Sequence, residues 1–198
     1  MGVRIALPVL LLALVLPATA GARSVPQGFY GVVYDGAVTN ASPARQDAQF
    51  ARMAKAGVES VRTVFSWADA QPVQGGPTNF SATDLAVAMA ARHGMSLLPV
   101  VIYTPPWERI DARDPASPPV DPATYASYLS ELAARYGSAG TFWAQHPELP
   151  RRPVLYWQVW NEPHLTLYWN HPHWQEGYGA LLRAAHAALR QADPHARV

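Results

Sequence analysis

Four times along this chain a short run of β-branched and aromatic residues is followed by a longer stretch with apolar residues at helical spacing. That order constrains the fold more than any single residue does. Strand, helix and strand in succession call for parallel strands joined by right-handed helical crossovers. The first run is Gly28–Asp35, after which Ser42 and Pro43 supply a cap and a first helical residue. Phe50, Met53, Ala54 and Gly57 fall on one face of that helix. In the second run, Val58–Trp67, the residues Ser60, Arg62 and Ser66 share one parity and Val61, Thr63 and Phe65 the other. The polar set therefore lines one face of the strand and the apolar set the opposite face.

After a Gly/Pro loop from Pro72 to Pro77, Ser81 to Asp84 form a capping-box-like helix start. Leu85, Ala88 and Met89 point inward from that helix, and Gly94 ends it. Ser96–Tyr103 is the third strand, although Pro99 is awkward in a central strand because it donates no ladder bond. Thr104–Val120 is a long proline-rich loop, of the kind that is functional or mobile. Asp121 and Pro122 open a third helix with the buried stripe Tyr125, Tyr128, Leu129, Leu132 and Tyr136, closed by Gly137. A fourth helix carries Tyr178, Leu181, Leu182, Ala185 and Leu189 and stops at Asp193 and Pro194. Ala196–Val198 reads as the approach to a fifth strand.

Between the third and fourth helices lies Leu155–Pro163, in which five of the first six residues are aliphatic or aromatic. It reads as a strand buried on both faces, as in a parallel sheet. The run ends in Asn161 and Glu162, and Pro163 then stops the ladder. An isolated Asn-Glu pair is most often a solvated turn. In an α/β barrel, however, the carboxyl ends of the strands carry the active site.

Composition narrows the function. Without cysteine there is neither a disulfide framework nor a thiolate metal site. The formal charge is +1, and no basic face or run points to a nucleic-acid partner. Seven tryptophans and nine tyrosines are present, thickest from Trp143 to Tyr178. Such rings usually form core, and near strand ends they also stack on sugars.

Residues 1–20 have the pattern of a signal peptide: Arg4, an apolar Ile5–Leu16 and an Ala18-Thr19-Ala20 cleavage site. The apolar stretch is shorter than the ~20 residues that span a bilayer. A secreted, extracellular or periplasmic protein covering 21–198 is expected, with no stable membrane association after cleavage.

The runs Arg135–Trp143 and Pro153–Pro163, the latter closing on Trp160-Asn161-Glu162-Pro163, resemble the retaining glycoside hydrolases of clan A, families 5 and 39 among them. The resemblance extends from Tyr30 to Val198 and implies a (β/α)8 TIM barrel of which only the first four βα units are written. It implies Glu162 as general acid/base, Asn161 as partner of a sugar 2-hydroxyl, and Arg62 as support for the nucleophile. The family's nucleophilic glutamate belongs to a seventh strand, so the chain is expected to be a half-barrel, inactive alone. Tyr103 to Trp107 stand where family 5 enzymes usually carry a histidine, and Gln71-Pro72 where related sequences often have Glu-Pro.

The residues support this independently. Glycoside cleavage needs a protonated carboxyl beside the leaving oxygen and a second carboxylate, about 5–5.5 Å away in retaining enzymes. Burial among Trp160, Trp107 and Tyr103 is expected to desolvate Glu162 and keep it protonated. Arg62 needs a partner on its inward face, either a carboxylate cluster there or a structural ion pair with Glu59 or Asp84. Trp107, Trp160, Trp169 and Trp174 are stacking candidates, each with core packing as the commoner role. Asp35 ends the first strand as a sugar contact or a loop cap, and His164 adjoins the acid/base as a polar contact. His164, His171 and His173 form no recognised zinc signature, and neither metal nor cofactor is expected.

The expected partner is thus a carbohydrate substrate. The alternative is a non-catalytic sugar-binding or vestigial half-barrel, which would expose the edges of its first and fourth strands and invite self-association. A histidine-dependent metal hydrolase is the weakest reading.

Overall fold

A computed structural model of the chain describes residues 24–35 and 40–198, and the expected signal peptide lies outside them. Among these residues, β1 (Gly31–Val33), β2 (Ser60–Ser66), β3 (Ser96–Ile102) and β4 (Gln158–Val159) form one parallel sheet in sequence order. The helices are α1 (Pro43–Lys55), α2 (Trp67–Ala70), α3 (Ser81–Arg92), α4 (Pro122–Tyr136), α5 (Thr141–Gln145) and α6 (Trp174–Ala192). The short α2 and α5 have no counterpart in the periodicity of the sequence, because a single turn is too brief to show one.

The two faces of the sheet differ as the parity of β2 requires. Val61, Thr63 and Phe65 are buried, and Phe65 meets Tyr136 of α4 edge-on at 6.1 Å. Tyr125 Oη donates to Val101 O at 2.8 Å and Tyr178 Oη to Val159 O at 3.2 Å, fastening α4 and α6 to this outer face. Registered partners in a parallel sheet point the same way, so Val33, Arg62 and Leu98 share the inner face, and Val100 and Gln158 continue it. That face is partly open: Val33 is 64% exposed, while Arg62, Leu98 and Gln158 are half-buried.

Pro99 fits β3 for a geometric reason. Ser96 N donates to Glu59 O on the β2 side, so N–H direction alternates and Pro99 faces β4 instead. The β4 ladder begins only at Val100, one residue beyond it. The absent donor therefore interrupts no bond.

Three strand expectations change. β1 is shorter than Gly28–Asp35, because Gly28 adopts φ +89° and pairing starts at Gly31, where a Cβ would stand 2.4 Å from Ser60 Oγ. β4 has two residues and is not buried on both faces: Trp157 and Val159 are buried, whereas Tyr156 is 55% exposed. The edge ahead of β4 carries one bridge to the carboxyl-terminal residues. Trp157 N donates to Arg197 O at 2.9 Å and Arg197 N to Leu155 O at 2.7 Å, a parallel bridge beside β4.

Helix limits follow the sequence, but the caps do so only in part: Ser42 precedes α1 without a side-chain cap bond, and α3 is preceded by Phe80 rather than opened by a capping box at Ser81. Asp121 caps α4 by accepting from Ala123 N at 2.8 Å, and all five stripe residues are buried. Gly94, at φ +75°, follows α3 as its C′ residue. Within α3, Thr83, Val87 and Met89 are buried while Leu85 and Ala88 are half-buried, a small rotation of the expected face. α6 begins at Trp174, ahead of Tyr178. Loop 104–120 is internally paired: Ile110 N donates to Pro118 O, and Val120 N to Glu108 O. Among the described residues no helix is long and apolar enough to cross a membrane.

Candidate active site

At the carboxyl end of β4 the chain leaves the ladder through two residues in left-handed conformation, Trp160 (φ +63°) and Glu162 (φ +39°). Tyr103, the residue after β3, has φ +69°. Non-glycine residues of this kind are strained and gather at functional sites. Three of the four in the described chain stand at this one end of the sheet.

The inner-face side chains form a connected chain of hydrogen bonds leading to Glu162. Arg62 Nε donates to Gln158 Oε1 at 2.8 Å and Nη2 to Asn161 Oδ1 at 2.7 Å. Gln158 Nε2 donates to Trp160 O at 2.9 Å, and Asn161 Nδ2 to Glu162 Oε2 at 3.2 Å. The amide orientations follow from this network. A guanidinium reaching across β3 thus fixes the Asn161 amide, whose donor end faces the carboxylate. Charge-assisted bonds of this type are stronger than neutral ones and polarise the groups next in line.

Neither sequence-based expectation for the partner of Arg62 holds. Its partners are two amides, not a carboxylate cluster, and both proposed ion-pair partners are engaged elsewhere. Glu59 Oε2 accepts from Gly28 N at 2.9 Å, and Asp84 takes Arg135 in a bidentate pair at 2.7 and 2.5 Å. Tyr136 Oη also donates to Asp84 at 2.6 Å.

Glu162 itself is exposed, which corrects the expected desolvation. Of the rings expected to enclose it, Trp160 is 1% exposed and belongs to the core. Its Nε1 donates to Tyr168 O at 2.9 Å, and it packs edge-on against Tyr125 and Trp169. It presents no face to a sugar, and neither does Trp169, at 4% exposure. Trp107 is half-buried beside the core, with Nε1 donating to Gln71 O at 2.7 Å and its ring edge-on to Trp67. His164 is exposed and lies 6.2 Å from the Trp174 ring.

Asp35 is an exposed residue at the same end of the sheet, in electrostatic reach of Tyr103. The Tyr103 hydroxyl is held above its ordinary range, chiefly by burial and then by the charges of Tyr168, Asp35 and Asp69. Asp35 after β1, Asp69 after β2 and Tyr168 after β4 are thus in electrostatic reach of Tyr103, which follows β3. Asp69 and Tyr168 drew no notice in the sequence: Asp69 sits in the unforeseen α2, and Tyr168 in an irregular turn. Among the described residues no group of three or more His, Asp or Glu side chains is placed to hold a metal ion.

The arrangement offers an accessible carboxyl with an oriented amide beside it, parts that can hydrogen-bond a polyhydroxylated molecule and, when the carboxyl carries a proton, donate it. Among the described residues Glu162 forms no ion pair, and its hydrogen-bond partner is Asn161.

No protein-family model matches the chain, and no curated protein does. Solved structures do. A monomeric beta-xylosidase from Caulobacter crescentus superposes with a TM-score of 0.64 at 20% identity, over 88% of this chain and 36% of that one. A family 39 glycoside hydrolase from Bacteroides cellulosilyticus gives 0.58 at 19%, over 84% and 30%. An endoglucanase of Pseudomonas stutzeri gives 0.51 at 19%, over 74% and 40%. The chain thus spans roughly a third of the length of these structures and shares with them the first half of an eightfold α/β barrel.

Proposed function

We propose that this chain is the amino-terminal half of a secreted O-glycosyl hydrolase acting on oligo- or polysaccharide, with Glu162 as general acid/base. The observation that carries the reading is the hydrogen-bonded chain Arg62–Asn161–Glu162 at the carboxyl ends of the strands. The fold adds support, because its solved neighbours are named glycoside hydrolases. In this reading Glu162 protonates the leaving oxygen, Asn161 orients a sugar hydroxyl, and Trp107, His164 and Asp35 contact substrate. Arg62 acts through Asn161 as a positioning residue. The second carboxylate of a retaining mechanism comes from outside these residues, so the chain alone is inactive. It would also be the group that shields Glu162 from water.

The exposure of Glu162 favours one other reading, a sugar-binding half-barrel that breaks no bond. One experiment separates the two. The product of the complete reading frame, assayed on alkyl glycosides, should cleave them and lose about 10²–10⁴-fold on Glu162→Gln. Residues 21–198 alone should be silent. Sugar binding without cleavage by the complete product supports the second reading. Cleavage by residues 21–198 overturns the assignment of the nucleophile and directs attention to Asp35, Glu108 and Glu176.

A further inference from the structure

A cleft of about 420 Å³ lies where the carboxyl ends of the first three strands approach α3. Its size is that of a small-molecule site, about 300–1,000 Å³. The exposed part of its lining is polar: Asp35 after β1, Asp69 after β2 and Asn79 ahead of α3. Ser66 and Tyr103, both half-buried, continue it at the ends of β2 and β3. Thr63, on the outer face of β2 and 4% exposed, belongs to its buried part.

The polar groups of this cleft are left ready for a ligand. Thr63 Oγ1 has no hydrogen-bond partner among the described residues, yet it is not sealed from water as the hydroxyls of Thr104 and Tyr128 are. It therefore opens into the cleft that its residue lines. Tyr103 Oη has no hydrogen-bond partner either, and burial, with the nearby charges of Asp35 and Asp69, keeps its proton on. Asn79 Oδ1 accepts from Ser81 N at 3.0 Å and Ser81 Oγ at 2.7 Å, which leaves the Asn79 amide N–H groups to donate. No Lys, Arg or His side chain lines the cleft, and Asp69 forms no ion pair among the described residues.

The ligand chemistry follows from these groups. Hydroxyls and an amide match the hydroxyls of a sugar ring. Two carboxylates with no lining cation favour a positive group on that ring and repel a negative one. We propose that the cleft is a sugar subsite that takes an amino sugar in preference to a uronic acid, with Asp69 setting the preference. The inference rests on the glycoside reading and names the substrate class for it. Its test reads binding without cleavage, so it fails separately from the role of Glu162.

The test is a titration of the ¹⁵N-labelled full chain with methyl β-glucosaminide, methyl β-glucoside and methyl β-glucuronide, following the backbone amides of Asp69, Asn79 and Tyr103. These amides should shift saturably, with the glucosaminide bound about tenfold tighter than the glucuronide and the glucoside between them. The ratio should shrink toward one in about 1 M salt. Asp69→Asn, at an exposed position, should cut the ratio about threefold or more. Glu148→Gln removes the same charge outside the cleft, from a side chain 64% exposed, and should leave the ratio as it was. Amides unmoved by all three sugars overturn the proposal, as does a glucuronide bound as tightly as the glucosaminide. A ratio that Asp69→Asn leaves intact, or that Glu148→Gln lowers equally, overturns it too. Ethylammonium bound as tightly as the glucosaminide would show a site for the ammonium group alone and refute the sugar. The expected ranking in a chain whose complete gene product cleaves no glycoside would count against Glu162 and leave the subsite standing.

Discussion

Replacing Arg62 by methionine removes the guanidinium while keeping much of its apolar length. Two hydrogen bonds disappear, at 2.8 Å to Gln158 and 2.7 Å to Asn161. A bond from a charged donor contributes about 1.5–3 kcal/mol when its partner stays dry. Here both acceptors lie on a partly open face, where water can replace the lost donors. The expected cost is therefore at or below the bottom of the summed range of about 3–6 kcal/mol, about 2–3 kcal/mol. With a urea m-value of about 2 kcal/mol/M, the unfolding midpoint falls by about 1 M. Arg113→Met is the control, because that side chain is 95% exposed. The Arg62–Asn161 coupling should appear in a double-mutant cycle as about 1 kcal/mol or more. If Arg62→Met shifts the midpoint no further than Arg113→Met, the network that holds Asn161 toward Glu162 does not exist in solution.

Other residues give further tests. Asp84→Ala leaves the Arg135 guanidinium and the Tyr136 hydroxyl without their shared acceptor. With side chains only 27% and 17% exposed at Asp84 and Arg135, it should cost about 3 kcal/mol by chemical denaturation. Trp160→Phe should cost about 2 kcal/mol in thermal unfolding through lost packing and the lost bond to Tyr168. It should leave sugar affinity unchanged in the folded protein, because the ring is covered.

Burial pushes the Asp193 carboxyl up, but bonds from Ser138 and from His195 N outweigh burial and leave its pKa below the ordinary value. A carboxyl with a depressed folded pKa contributes stability that is complete above the ordinary value and is lost as pH falls through the folded one. Asp193→Asn should therefore flatten the fall in Tm below about pH 4.

Periodicity carried the architecture because it is a property of whole segments. The parity of Val61, Thr63 and Phe65 against Arg62 appears directly in the burial of β2, and the tyrosine and leucine stripe of α4 is buried throughout. Composition misled where it stood in for position. The apolar run from Leu155 to Trp160 looks buried on both faces, yet Tyr156 is exposed and Gln158 half-buried on one face while Trp157 and Val159 pack on the other. Trp160 stood among the stacking candidates, with core packing the commoner role for such a ring. Its positive φ redirects it into the core, and no sequence pattern announces a left-handed tryptophan. The partners of Arg62 were equally hidden, since Gln158 and Asn161 become neighbours only once β4 lies two strands away in register. Asp69 depends on a single helical turn capped by Ser66 Oγ, below the length at which periodicity can be read.

The central claim is that Glu162 donates the proton to the departing oxygen, and leaving-group dependence tests it most directly. In the complete gene product, Glu162→Gln should reduce kcat/KM about 10²–10⁴-fold on an alkyl glycoside, whose poor leaving group needs the proton. The same substitution should leave the bond-breaking step of a 2,4-dinitrophenyl glycoside almost unaffected, since that group departs unprotonated. Equal losses on both substrates would contradict the assignment and return Glu162 to the role of a solvated residue at the end of a strand.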